Sequence, residues 1–103
     1  MNNVFNNLPQ HLDKELISTL LGEDNIQIER IVSKGHKSPE SGWYDQEKNE
    51  WVMVLRGAAI LEFEGRPPVS LKEGDYINLP SHLKHRVQWT DPNTETVWLA
   101  IYY

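Results

Sequence analysis

The sequence predicts an all-β fold, and three observations support this prediction. Short segments rich in apolar and β-branched side chains recur along most of the chain. Gly, Pro, Asn and Asp separate these segments at fairly regular intervals, which is typical of a β-sandwich or β-barrel. The 103 residues are enough for one domain and leave no room for a second hydrophobic core.

Residues 1–25 are expected to form an N-terminal arm followed by one short helix. Residues 1–7 are rich in Asn, which predicts an irregular arm. Beyond them, apolar residues spaced four apart predict a helical stripe. These residues are Leu12, Leu16 and Leu20, flanked by Ile17 and Leu21. Asp13 is suited to cap the start of this helix, and Gly22 is suited to end it.

From residue 26 onward the apolar pattern changes to a period of two, which predicts β-strands. The predicted strands are residues 26–33, 51–56, 58–64, 69–71, 76–79, 85–89 and 97–102. Loops or turns are predicted at residues 36–42, 65–68, 72–75, 80–84 and 91–93. Residues 26–103 are therefore expected to form a single β-sandwich or β-barrel domain.

Two of the predicted strands, residues 51–55 and 97–102, are apolar on both faces. A strand with one face in water should instead alternate between apolar and polar residues. Part of the outer surface of the barrel is therefore expected to be covered. The cover is either the N-terminal arm and helix or a second subunit, and the small size of the core favours a homodimer.

Composition and charge exclude several classes of function. The formal net charge of −5, with ten scattered basic residues, argues against a nucleic-acid partner. The absence of Cys excludes disulfides, thiolate nucleophiles and Cys-based zinc sites. No segment has the apolar length of a membrane span, and the N-terminus does not resemble a secretion signal. We therefore expect a cytoplasmic protein with no membrane partner.

In two segments, residues 42–57 and 74–89, an ionisable residue stands at a defined distance from a Gly or a Pro. In the first, Glu50 precedes a predicted strand, and Gly57 follows after six intervening residues. In the second, Gly74 is followed after five residues by Pro80, and His85 begins the next predicted strand.

These spacings resemble the two motifs of the cupin superfamily. His82 and Trp89 stand at the positions where the second motif has Gly and Asn. The resemblance covers residues 26–102. It implies a single-domain cupin fold, which is a jelly-roll barrel also called a double-stranded β-helix.

Strand alternation places Glu50 and His85 inside such a barrel. A carboxylate and an imidazole together suit a divalent metal such as Zn, Fe, Mn or Ni. Metal-binding cupins carry His-x-His three or four residues before the Glu, where this chain has either Trp43 and Asp45 or Tyr44 and Gln46. The candidate additional ligands are therefore Asp45 and Gln46, and also His82 and His36. The alternative is a hydrogen-bonded pair without metal, in which Glu50 raises the pKa of His85 above its reference of about 6.5.

The interior of the barrel is expected to form a pocket for a small-molecule ligand. Its walls are predicted to be Trp43, Tyr44, Val52, Val87 and Trp89. The preferred function is binding of a small molecule, with an optional divalent metal. The alternative is a metal-dependent enzyme of the isomerase, dioxygenase or lyase type. A purely structural role would leave the inward-facing polar residues unexplained.

Overall fold

Eight β-strands in two sheets make up the computed structural model, which describes residues 1–103. The strands are β1 (Leu16–Glu23), β2 (Ile26–Ser33), β3 (Glu50–Arg56), β4 (Ala58–Phe63), β5 (Arg66–Lys72), β6 (Tyr76–Leu79), β7 (His85–Thr90) and β8 (Thr96–Tyr102). The larger sheet has the order β1-β2-β8-β3-β6 and the smaller has the order β5-β4-β7, with all neighbours antiparallel. The structure contains no helical segment with the length and hydrophobicity of a membrane span.

The segment predicted to be helical is strand β1, so the helix prediction is wrong. Strand β1 forms a hairpin with β2, in which Glu23 is opposite Ile26 across a short turn. An isolated helix of about ten residues is marginal in water, whereas pairing with β2 gives this segment backbone hydrogen bonds from one end of the strand to the other. The β-branched residues Ile17 and Thr19 also favour the extended conformation. Strand β1 is therefore the edge strand of the larger sheet, and the β-structure begins at residue 16 and not at residue 26.

The other strands match their predicted positions closely, except at the start of β5. Residues 65–68 were expected to form a turn, but β5 begins at Arg66 and includes Pro67 and Pro68. Proline cannot donate a backbone hydrogen bond, so it is tolerated in a sheet mainly at an edge. Strand β5 is an edge strand of the smaller sheet, which explains how both prolines are accommodated.

Alternate residues of the facing strands form the hydrophobic core between the two sheets. The core residues are Val52, Val54, Ala59, Leu61, Phe63, Leu71, Leu79, Trp98 and Ala100. The same inner faces carry Glu50 on β3, His85 on β7 and Tyr102 on β8. Glu50 is directly opposite Tyr102 in the pairing of β3 with β8. The polar inward-facing residues are therefore gathered at one end of the sheets.

The N-terminal arm lies on the outer face of the larger sheet. The buried guanidinium of Arg30 donates hydrogen bonds from Nη1 to the carbonyl oxygens of Val4 (3.1 Å) and Asn6 (2.6 Å). The guanidinium of Arg56 lies 4.8 Å from the centre of the Phe5 ring. The arm thus contacts the outer face at β2 and at the end of β3, and the cover over the apolar residues of 51–55 and 97–102 stays a prediction.

Candidate ligand-binding cavity

A cavity of about 200 Å³ lies between the sheets at the end that carries the polar residues. Nine of its fourteen lining residues are hydrophobic, namely Ile17, Ile31, Tyr44, Val52, Leu61, Leu79, Val87, Trp98 and Tyr102. The other five are Glu15, Ser38, Gln46, Glu50 and His85. An apolar wall with a few convergent polar groups is the usual composition of a small-molecule site.

Glu50 and His85 form the polar centre of this cavity. Both residues are buried, and Oε1 of Glu50 lies 3.5 Å from Nε2 of His85. On the other side of the ring, Nδ1 of His85 donates a hydrogen bond to the carbonyl oxygen of Leu83 at 2.8 Å. This bond orients the imidazole and leaves Nε2 facing the carboxylate. The predicted proximity of the two side chains is therefore present in the structure.

The surroundings of His85 raise its pKa above the reference value of 6.5. Burial acts in the opposite direction, because a low-dielectric environment disfavours the imidazolium. The hydrogen bond to Glu50, the hydrogen bond to the carbonyl of Leu83 and the negative charge of Glu50 together outweigh burial. The direction of this shift agrees with the prediction from the sequence.

Tyr44 and Gln46 are the residues of the segment before Glu50 that face the cavity. Tyr44 and His85 exchange two backbone hydrogen bonds of 2.8 and 3.1 Å, forming an isolated bridge. The two rings lie 5.9 Å apart between centroids. Gln46 donates from Nε2 to Oε1 of Glu50 at 3.3 Å. The sequence left two pairs of residues as candidates for the inward positions before Glu50. The structure places Tyr44 and Gln46 there, and not Trp43 and Asp45.

Trp43 and Asp45 do not line the cavity. The guanidinium of Arg86 lies 4.1 Å from the centre of the Trp43 ring, so Trp43 was wrongly predicted as a pocket wall. Oδ1 of Asp45 instead lies 2.6 Å from Nδ1 of His82, and both side chains are exposed. His82 has a φ of 63°, a left-handed conformation that explains why the cupin motif has Gly at this position.

Trp89 was also wrongly predicted as a pocket wall. In the pairing of β4 with β7, Val87 is opposite Leu61 but Trp89 is opposite Ile60. The register therefore shifts by one residue at Gln88, which is a β-bulge. The bulge turns Trp89 to the outer face of the sheet, where 40% of its surface is exposed. The predicted walls Val52 and Val87 do line the cavity.

Sequence reasoning missed three residues that bring polar groups to the cavity, Glu15, Ser38 and Tyr102. Burial and the negative charges of Glu50 and Glu29 raise the pKa of the Tyr102 hydroxyl, which keeps it a neutral hydrogen-bond donor. Glu15 accepts a hydrogen bond from Oγ of Ser33 at 2.7 Å. Strand alternation could have identified Tyr102, whereas the incorrect helix prediction concealed Glu15.

The donor set in the cavity does not fit a resident divalent metal. The lining supplies one imidazole, from His85, and two carboxylates, from Glu50 and Glu15, and the nearby Gln46 directs its Nε2 at Glu50. His36 is not a cavity residue, and its Nδ1 accepts a hydrogen bond from the backbone N–H of Lys34 at 2.9 Å. No three His, Asp or Glu side chains cluster closely enough to hold a metal ion. Typical protein sites for these metals use three or four such ligands.

Comparison with known proteins agrees with this architecture. Residues 30–102 match a family model described as a cupin domain. A structure from Ralstonia eutropha, provisionally named a mannose-6-phosphate isomerase, is 42% identical over 99% of this chain and 95% of its own, with a TM-score of 0.95.

Two more distant structures share the fold alone. A cupin superfamily protein from Desulfitobacterium hafniense is 18% identical over 92% of this chain and 82% of its own, with a TM-score of 0.75. A cupin protein with a double-stranded β-helix from Methanocaldococcus jannaschii is 18% identical over 92% of this chain and 84% of its own, with a TM-score of 0.71. A comparison with curated proteins finds no match. The predicted jelly-roll barrel is confirmed.

Proposed function

The chain belongs to the cupin family, and we propose that it binds a small organic molecule in the cavity of its barrel. One observation carries the proposal: a buried Glu50–His85 pair faces a cavity of about 200 Å³ with a mainly hydrophobic wall. A buried charged pair without function is costly for a domain this small. A ligand that uses the pair gives it a role.

Polar groups of the ligand would bind at one end of the cavity. Glu50 offers carboxylate oxygens as acceptors, and Tyr102 offers a neutral hydroxyl as a donor. Nε2 of His85 donates when the imidazole is protonated and accepts when it is neutral. The apolar part of the ligand would then pack against side chains such as Val52 and Val87.

This function needs no resident metal, because the protein side chains alone supply the donors and acceptors. The alternative function, a metal-dependent isomerase, dioxygenase or lyase, has less support than ligand binding without a metal. The inward positions before Glu50 are Tyr44 and Gln46, neither of which is an imidazole. No step of the proposed binding depends on a metal ion.

The name of the relative from Ralstonia eutropha suggests a sugar phosphate, but the cavity gives this substrate little support. None of the fourteen lining residues is Lys or Arg, and two of them are carboxylates. A phosphate group is strongly hydrated and normally binds to Arg, Lys or backbone N–H groups. We therefore propose a ligand without a phosphate group.

Proton transfer within a bound molecule is a second candidate function. The observation that favours it is the raised pKa of His85 beside a carboxylate, an arrangement common in acid–base catalysis. Deuterium incorporation from D₂O into a bound carbonyl compound tests this function. The incorporation should disappear in His85→Gln, and incorporation that is unchanged in this variant would contradict the idea.

An NMR screen with small neutral, cationic and anionic fragments tests ligand binding. Bound fragments should shift the amide signals of cavity residues, including Tyr44 and Val52. Val87→Phe adds bulk inside the cavity and should abolish these shifts, whereas Gln88→Phe adds the same bulk at an exposed neighbour and should preserve them. Fragments that shift no cavity residue, or that bind equally to both variants, would overturn the proposal.

A further inference from the structure

We propose that the ligand of this cavity is a small organic cation, with an ammonium-type charge near Glu15 and Glu50 and an apolar body against the wall. This inference rests on the proposed function, since it names the chemical class of the molecule that the cavity binds. Two features of the lining carry it, the balance of charge and the aromatic rings.

The charge of the lining is negative. Glu15 and Glu50 both line the cavity, and neither Lys nor Arg does. His85 is the one lining residue that can become positive, and its Nε2 already faces Glu50 at 3.5 Å. Lys48 lies in an adjoining surface depression, where Glu29 and Glu47 accompany it. A cation is therefore attracted to the cavity, whereas an anion would lose its hydration without a compensating partner.

The two carboxylates are held in place by groups of the protein. Oγ of Ser33, a completely buried residue, donates to Glu15 at 2.7 Å, and Nε2 of Gln46 donates to Glu50 at 3.3 Å. Glu50 is itself buried. Carboxylates oriented before binding interact with a cation at a smaller entropic cost.

Aromatic rings form a further part of the wall. Tyr44, Trp98 and Tyr102 line the cavity together with the carboxylates. Cations are attracted to the faces of such rings, and recognition of alkylated ammonium groups commonly combines several of them. The alkyl groups of such a cation also suit the neighbouring aliphatic side chains. A small alkylammonium compound satisfies both parts of the lining.

Choline and 3,3-dimethylbutan-1-ol test the role of charge, because they share one shape and differ in charge. Titration followed by NMR at cavity residues should give a Kd for choline that is at least about tenfold lower than the Kd for 3,3-dimethylbutan-1-ol. Mannose 6-phosphate should cause no saturable shift at these residues. Equal or weaker binding of choline, or saturable binding of mannose 6-phosphate, would overturn the inference and leave ligand binding itself intact.

Variants link the preference to the carboxylates of the cavity. Glu15→Gln should reduce the preference for choline over 3,3-dimethylbutan-1-ol severalfold, because the substitution removes one negative charge while keeping an acceptor for the hydroxyl of Ser33. Glu23→Gln removes a charge from the exposed far end of β1, the strand that begins just after Glu15, and should leave the preference unchanged. An equal effect of both variants would overturn the inference. If no neutral, cationic or anionic fragment shifts any cavity residue, the proposed function fails together with it.

Discussion

Nε2 of His85 lies 3.5 Å from Oε1 of Glu50, inside a barrel where both residues are buried. The carbonyl of Leu83 holds the proton on Nδ1, so Nε2 is the atom that gains or loses a proton. The charge of the cavity therefore depends on pH at one identified atom. This relationship connects the stability of the fold with the binding chemistry proposed for it.

We predict that the protein loses stability as the pH rises above about 6.5. The folded pKa of His85 is raised above its reference value, so the stabilisation is fully present below the unfolded pKa and is lost as the pH passes the folded pKa. The free energy of unfolding in urea, measured between about pH 6 and pH 8, should fall more in the wild type than in His85→Gln. His11→Gln, an exposed substitution, is the control. If the free energy of unfolding falls equally with pH in the wild type and in His85→Gln, the prediction is refuted.

We predict that Gly57→Ala is more destabilising than Gly74→Ala. Both glycines have a positive φ, 88° and 89° respectively, which costs about 1–2 kcal/mol for Ala. A Cβ on Gly57 would also lie 2.7 Å from Cα of Thr96, whereas none of the surrounding atoms lies within 4 Å of one on Gly74. The clash should add about 1–3 kcal/mol to the loss of unfolding free energy in urea. Equal losses would show that Gly57 is needed for its φ alone.

We predict that chelation does not change stability. The cavity lacks a fitting set of metal ligands, so the unfolding temperature should be the same with and without EDTA. Elemental analysis of untagged protein should find well below one equivalent of Zn, Fe, Mn or Ni. One equivalent of metal, lost in His85→Ala and removable only with a fall in unfolding temperature, would contradict this prediction.

We still expect a homodimer that uses the part of the outer face left free by the N-terminal arm. Trp51 and Tyr76 stack there with ring centroids 5.4 Å apart, and 65% of the surface of Tyr76 is exposed. Light scattering at micromolar concentration should give about twice the monomer mass, and Tyr76→Glu should halve it. Trp89→Glu, on the outer face of the other sheet, should leave the mass unchanged. A wild-type protein with the mass of one chain would refute the prediction.

The sequence was sufficient to predict the central pair but not all of its surroundings. Glu50 and His85 each begin a strand, and alternation together with motif spacing placed both inside the barrel. The inward positions of Tyr44 and Gln46 could not be chosen from sequence, because a shift of one residue fits the pattern equally well. Their backbone pairing with β7 decides the question, and that contact is distant along the chain.

The remaining errors also arise from long-range pairing. The leucine spacing in residues 12–21 fits a helix, but the hairpin with β2 makes this segment a strand. Trp89 follows the inward alternation of β7 until the bulge at Gln88 reverses it. Neither the hairpin pairing nor the bulge has a local signal strong enough to oppose the apolar pattern.

A pH titration followed by ¹⁵N NMR of the His85 side-chain nitrogens tests whether His85 is paired with Glu50 in a cavity without metal. Wild-type His85 should titrate with a pKa above 6.5 and keep its proton on Nδ1 when neutral. The pKa should fall in Glu50→Gln, and EDTA should leave the titration unchanged. A pKa that is the same in wild type and Glu50→Gln would contradict the pairing. An imidazole that titrates only after EDTA is added would contradict the claim that the cavity works without a metal.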